Sequence, residues 1–148
     1  MVHYAENRRA RFDYEILNTY EAGIALLGHE VKSVKSGNAQ LGGSYAIVRN
    51  NEVWLVNCDI PPHQPKNTPS EYDSKRTRRL LLHKKEIIAL LGTLKSEKLT
   101  LIPLAMYNKK GKVKLTLGLG RGKKVGDKRE TIRKRDVERE IQREARVR

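Results

Sequence analysis

Four histidines, one cysteine and a handful of acids are the side chains with which this 148-residue chain could do bond-making chemistry. His3, His29, His63 and His83 are scattered singly. His83 stands just where a helix starting at Lys84 would begin, which suits a capping or surface role better than proton transfer. Glu21 and Glu30 could be paired as an acid and a base, and with Asp59 they could hold a metal for RNA cleavage. A helix cap or an acceptor facing RNA suits Glu21 and Glu30 better. There is no phosphate-cradling P-loop, nucleophile elbow or HExxH pair. "GLGRG" at 118–122 has the look of a dinucleotide fingerprint but no βαβ context behind it. Cys58 is the sole cysteine, so an intrachain disulfide and a zinc ribbon are both excluded. It reads as a small hydrophobe inside a strand. We therefore expect no catalytic residue, no metal and no cofactor.

Charge says more. Lys and Arg number 31 against 17 acids, a formal net charge of +14. An excess of this size repels itself in the folded state and implies a polyanionic partner. The basic residues gather at Arg8–Arg11, Lys75–Lys85, Lys109–Lys114 and the C-terminal stretch. No apolar run approaches the roughly 18 residues of a membrane span. The opening "MVHYAENRRARFDYE" lacks the apolar core of a secretory signal, so a cytoplasmic address is expected. Nucleic acid is the leading partner class. With one Trp, one Phe and six Tyr, the chain lacks the interleaved aromatics of a single-strand stacking platform. Recognition of a folded RNA by shape and backbone is left.

Several elements must position these clusters. The first eleven residues read as a solvated arm. "FDYEILNTYEAGIALLG" predicts two strands or one kinked strand from about Asp13 to Leu27, with Gly23 at the bend. "GHEVKSVKSG" fits a short helix capped by Gly37. "SYAIVR" and "EVWLVNC" flank "NN", a hairpin signal over Ser44 to Cys58, because Asn tolerates the positive φ of a primed turn. "IPPHQPKNTPSEYDSKRTRR" reads as a surface loop. Ile87, Leu90, Leu91 and Leu94 then repeat at the spacing of one buried helix face. A last hairpin joins "LTLIPLAMY" to "KVKLTLGLG" through "NKKG", with Pro103 marking an edge or a bulge.

From Arg121 onward the residues are strong helix formers. At about 100° per residue, Lys128, Arg135, Arg139, Arg143 and Arg146 share one sector, opposite a thin stripe of Val137, Ile141 and Ala145. Like charges at i,i+4 oppose the helix by a few tenths of a kcal/mol per step, roughly 0.2–0.5. The stripe is too thin to offset ordering at about 1–2 kcal/mol per residue. A tail disordered when free, gaining helix against an anionic surface, is expected; a plain solvated helix or a permanently floppy tail is the alternative.

"ENRRARFDYEI", "YEAGIALLGHEVKSVKSG", "SYAIV", "RRLLLHKKEI", "TLIPLAMY" and "GKKVGDKR" together resemble the small protein B family, partners of transfer-messenger RNA in bacterial trans-translation. The resemblance covers nearly the whole chain. It implies a mainly β (α+β) fold: an OB-type closed β-barrel of about six or seven strands with two or three flanking helices over 1–121, and a basic tail over 122–148. It implies binding to the tRNA-like domain of transfer-messenger RNA at the elbow. The tail would become helical in the small-subunit decoding centre and the vacant mRNA channel of a stalled ribosome. Elongation factor Tu would join the delivery complex, with no membrane and no small-molecule substrate. The family's RNA-binding positions fall on Asn7, Glu21, Gly23, Leu81 and Lys114, to which the first basic cluster adds Arg8 and Arg11. Asn7 and Glu21 would bond base edges or 2′-hydroxyls, Lys114 a phosphate; Leu81 would be core or a small apolar contact with a base. The tail positions fall on Gly122, Asp127, Lys128 and Arg129, joined by Lys123, Lys124, Arg135, Arg139 and Arg143. Two departures stand out: the loop "SEYDSKRTRR" lacks the proline the family often carries before its Arg-x-Arg run, and Gly126 offers no ring before Asp127, where many relatives carry an aromatic or His. Two rivals remain open, a general ribosomal or RNA-chaperone protein and an RNA-processing enzyme using Glu21, Glu30 and Asp59.

Overall fold

A computed structural model describes residues 3–64, 66, 68–123 and 139. Among them, seven strands and three helices follow one another as β1 (His3–Glu6), α1 (Ala10–Asp13), β2 (Tyr14–Ile24), α2 (Gly28–Lys35), β3 (Tyr45–Arg49), β4 (Glu52–Val56), β5 (Arg78–Leu81), α3 (Lys84–Ser96), β6 (Thr100–Lys109) and β7 (Lys112–Gly122). All pairings are antiparallel. The order β6-β3-β4-β5-β2-β7 returns to β6, so six strands close a ring and β1 adds to it along β6.

Local sequence explains most of this. Asn50 and Asn51 both take positive φ, 54° and 60°, which is the primed turn that lets β3 and β4 pair from Tyr45↔Val56 to Arg49↔Glu52. Lys110 and Gly111 do the same between β6 and β7. Leu90 of α3 is fully buried, with Ile87 and Leu94 packed around the same core. The helices are tied at their starts by carboxylates: Leu27 N–H donates to Glu30 (2.8 Å) and His83 N–H to Glu86 (3.2 Å).

Pro103 marks a bulge. The β6–β7 register slips between Pro103 and Ala105, and the extra residue reverses which side chains face inward. Leu101 and Met106 therefore enter the main core with Val53, Leu55 and Leu115. Ile102 and Leu104 instead join Ala10, Tyr14 and Ile16 in a second cluster on the outside of the ring. Gly118 and Gly120 make room for that cluster. A Cβ on Gly118 would stand 2.9 Å from Leu104 Cδ1, and one on Gly120 3.1 Å from Tyr14 Cβ. The "GLGRG" run is thus strand, cut away to admit apolar neighbours.

Four expectations need correction. The N-terminal arm is folded: His3, Ala5 and Glu6 pair with β6, and Ala10 is buried. The segment from Asp13 to Leu27 holds one strand, whose irregularity falls between Ile16 and Asn18 and not at Gly23. Cys58 lies just past β4, although it is buried as expected, and burial pushes its thiol up to about 11. The end of the basic loop is β5, whose alternation turns Arg78 and Leu80 inward and Arg79 and Leu81 outward.

Candidate nucleic-acid interface

β2, β7 and β6 run side by side, and their outward side chains carry the polar chemistry of this face. Gly23 pairs with Lys114 on β7 and with Leu81 on β5, so it stands where β2 passes from one neighbour to the other. Any Cβ there would meet Leu81 Cβ at 3.2 Å and Lys114 Nζ at 3.5 Å. Three residues far apart in the chain thus meet, and the missing side chain of one lets the others approach. Leu81 is 50% exposed. It is no part of the core; it is an apolar surface beside an ammonium group.

Glu21 lies two residues back on β2, opposite Thr116. Its carboxylate accepts from Lys109 Nζ at 2.9 and 3.1 Å. The bond from Lys109, then that from Tyr107, holds Glu21 below the usual carboxylate range. Burial first, then Glu21, pushes the Tyr107 hydroxyl up to about 12. Glu21 is therefore a charged acceptor on a half-exposed ion pair at neutral pH. Thr116 also lines a cleft with Asn7, Arg8 and Arg11, which joins the N-terminal basic cluster to this face. Of the sequence-predicted RNA positions, Gly23, Leu81 and Lys114 meet near Glu21 on β2, β5 and β7, and Asn7, Arg8 and Arg11 line the neighbouring cleft.

Asn7 also serves the fold. Its side-chain amide donates to the carbonyls of Pro103 (3.0 Å) and Leu41 (3.5 Å), and its backbone N–H to Leu104 (2.8 Å). The amide nitrogen clamps the chain to the bulge of β6 and has no hydrogen left for a base edge. Tyr107, Lys112 and Thr116 belong to the face and were not singled out. The outward period-2 run Lys112, Lys114, Thr116 was the available signal.

The Lys75–Lys85 cluster does not form one patch. Arg78 is fully buried, with Nε and Nη2 donating to Glu30 Oε2 at 2.8 and 2.6 Å, and Nη1 to the Cys58 carbonyl at 2.7 Å. Arg76 grips both oxygens of the same carboxylate. The Tyr72 hydroxyl stands 2.8 Å from Glu30 Oε2. Arg79 turns to the opposite side of the sheet and pairs with Glu52 at 3.2 Å. Burial alone would raise Glu30; the bonds from Arg76, Leu27 N–H, Arg78 and Tyr72 outweigh it and hold the group at about 2. Glu30 does cap α2, but it faces no RNA. Asp59 is engaged in a backbone bridge with Gln40. Glu21, Glu30 and Asp59 do not converge, and among the described residues no three His, Cys, Asp or Glu side chains could hold a metal ion.

Gly122 closes the β7 ladder against Tyr14. Lys123 follows, donating its N–H to Asp13 (2.9 Å) and its Nζ to the Arg11 carbonyl (3.0 Å). Arg139 is exposed. Lys124, Asp127, Lys128, Arg129, Arg135 and Arg143 lie outside the described residues. No helix among the described residues is long and apolar enough to cross a membrane.

Comparison with known proteins gives a consistent picture. The family model described as SmpB protein matches residues 4–147. The SsrA-binding protein of Synechococcus elongatus is 56% identical over 139 residues, covering 94% of this chain and 90% of its own. That of Coprothermobacter proteolyticus is 54% identical over 145 residues and 97% of each chain. A solved chain, from work described as "tmRNA-SmpB: a journey to the center of the bacterial ribosome", is 49% identical. It superposes with a TM-score of 0.68 over 86% of this chain and 93% of that one.

Proposed function

This chain belongs to the SmpB protein family, and on that premise we propose that it binds transfer-messenger RNA and serves trans-translation on stalled ribosomes. The observation that carries the reading is the meeting of Gly23, Leu81 and Lys114 beside the Glu21–Lys109 pair. Lys114, Lys112, Arg8 and Arg11 supply phosphate contacts, which position an RNA without reading its sequence. Glu21 accepts from 2′-hydroxyls or base amino groups, a contact it cannot make with a phosphate, which has no hydrogen to donate. Recognition is therefore of RNA shape, and the family resemblance puts it at the elbow of the tRNA-like domain.

The closed ring of strands serves as an OB-type β-barrel, a rigid support that holds this face in one geometry. The basic segment beyond the ring serves the ribosome. Lys123, Lys124, Lys128, Arg129, Arg135, Arg139 and Arg143 neutralise ribosomal RNA phosphates, and the helix forms once the arginine stripe is neutralised. Elongation factor Tu accompanies the complex during delivery in the cytoplasm.

Competition binding at fixed salt tests the reading. The tRNA-like domain of transfer-messenger RNA is expected to displace an ordinary tRNA from the protein. Equal affinity for the two at every salt concentration would point to a general structured-RNA binder instead.

A further inference from the structure

The β3–β4 hairpin stands apart from the Gly23 face, since β3 neighbours only β6 and β4 in the ring. Alternation along β3 turns Ala46 inward and Tyr45, Ile47 and Arg49 outward. Along β4 it turns Val53 and Leu55 inward and Glu52, Trp54 and Val56 outward. The register sets Ile47 beside Trp54 and Trp54 beside Arg79 of β5. Tyr45, opposite Val56, is then the diagonal neighbour of Trp54, roughly 7–8 Å away and within reach of an aromatic side chain. Tyr45 and Ile47 are 42% and 37% exposed, and Trp54, the only tryptophan in the chain, is half-buried. Spread along the sequence, one Trp and six Tyr fall short of a stacking platform; the hairpin brings one of each onto a single outward face.

Arginines border the two rings. Glu52 lies across from Arg49 but gives its carboxylate to Arg79 at 3.2 Å. Both members of that pair are substantially exposed, and an exposed pair is worth little, so a phosphate can take the place of Glu52 at Arg79. At the other end, Arg9 shares a cleft with Tyr45. Flat rings flanked by guanidinium groups match an RNA strand, which repeats a base and a phosphate at every nucleotide. We propose that this face binds single-stranded RNA, with neighbouring bases stacked on Tyr45 and Trp54 and their phosphates at Arg49 and Arg79. The strand belongs to a second RNA, other than the folded one on the Gly23 face, because the two surfaces are separate enough to be filled together. Bases inside a duplex present no face to a sheet, whereas unpaired bases do. Stacking of this kind tolerates any base, since each has a π-face.

The test uses the full-length protein and an RNA of about ten uridines, which forms no fold of its own. Trp54 reports directly, since no other tryptophan contributes to the emission. With the tRNA-like domain already bound in excess, the uridine strand should still quench Trp54 to saturation. An abasic strand of the same length, carrying the same phosphates, should leave the emission unchanged and bind about tenfold more weakly. Tyr45→Ala should weaken binding of the uridine strand about tenfold and leave affinity for the tRNA-like domain unchanged; Tyr45→Phe should restore it. Equal melting temperatures for the three proteins verify an intact ring. Equal binding of the uridine and abasic strands would reduce the contact to charge and overturns the proposal. Displacement of the uridine strand by the tRNA-like domain would give the rings to that same RNA, and overturns it too. Trp54 emission that follows protein concentration and ignores RNA would give the face to a second copy, with the same result. The reading of the Gly23 face stands or falls by the tRNA-like domain arm alone.

Discussion

Glu30 Oε2 and Arg78 Nη2 meet at 2.6 Å, with neither side chain exposed to solvent. The pair ties the first turn of α2 to β5 across 48 residues of chain, and through Ser74 and Cys58 carbonyls it also fixes the segment leading into β5. Removing Arg78 leaves the Glu30 carboxylate buried with only Arg76, Leu27 N–H and Tyr72 to meet it. Arg78→Met is therefore expected to cost about 1–3 kcal/mol, read as a fall in urea midpoint with unchanged slope. A loss below about 1 kcal/mol would show that water reaches Glu30.

The same carboxylate sets the acid limit. A group lowered on folding, from 4.5 to about 2, adds stability that is fully present above its unfolded value and disappears as pH falls through about 2. Wild-type protein should lose stability steadily from about pH 5 to pH 2. Glu30→Gln should be less stable at pH 7, with a flatter acid profile over that window. Parallel profiles for the two proteins would contradict this account.

Gly120→Ala is expected to destabilise the fold by about 1–3 kcal/mol, the usual cost of overpacking. The added methyl would face Ile102 Cδ1 at 3.0 Å and Tyr14 Cβ at 3.1 Å, and the second atom cannot move without its backbone. Gly92→Ala, with open space around it, is the control and should be neutral or slightly stabilising. Thermal melts of the two variants decide the matter.

Lys114→Gln removes one phosphate contact from the RNA face. Binding should weaken for all structured RNAs alike, and the slope of log K against log salt should fall by about one. Titrations at several salt concentrations measure it. An unchanged slope would place Lys114 off the RNA path.

Deleting 126–148 should leave binding to the isolated RNA within about twofold and abolish rescue of stalled ribosomes. Circular dichroism of the tail peptide, with and without RNA, complements the deletion. A peptide already helical in buffer would defeat folding on contact.

Much of the architecture was legible because it is written locally. "NN" and "NKKG" specify their turns through left-handed backbone, and Ile87, Leu90 and Leu94 specify their helix through spacing. Most of what is not legible traces to burial decided by distant partners. "SKRTRR" reads as solvated charge until Glu30 is known to sit opposite Arg78. A four-residue strand such as β1 carries too few residues for a period to show. "GLGRG" looks like a ligand loop until Ile102 and Leu104 are seen to fill its gaps. At the candidate interface, Gly23, Glu21 and Lys114 are expected from the resemblance alone. The face they share requires the register of β2 on β7, and the donor role of Asn7 toward Pro103 requires the placement of the N-terminal segment along β6.

The ladder that joins Tyr14 to Gly122 also imposes a schedule on biogenesis. β2 ends at Ile24 and its main partner β7 begins only at Lys112, so 87 residues of chain must be made between them. At about 5–20 residues per second this is a wait of roughly 5–20 s. Until β7 arrives, Ile16, Ala22 and Ile24 have no lasting cover and the ring has no seam. A truncated product of this chain, stopped anywhere before that last strand, can fold no ring at all and must be held by chaperones or degraded.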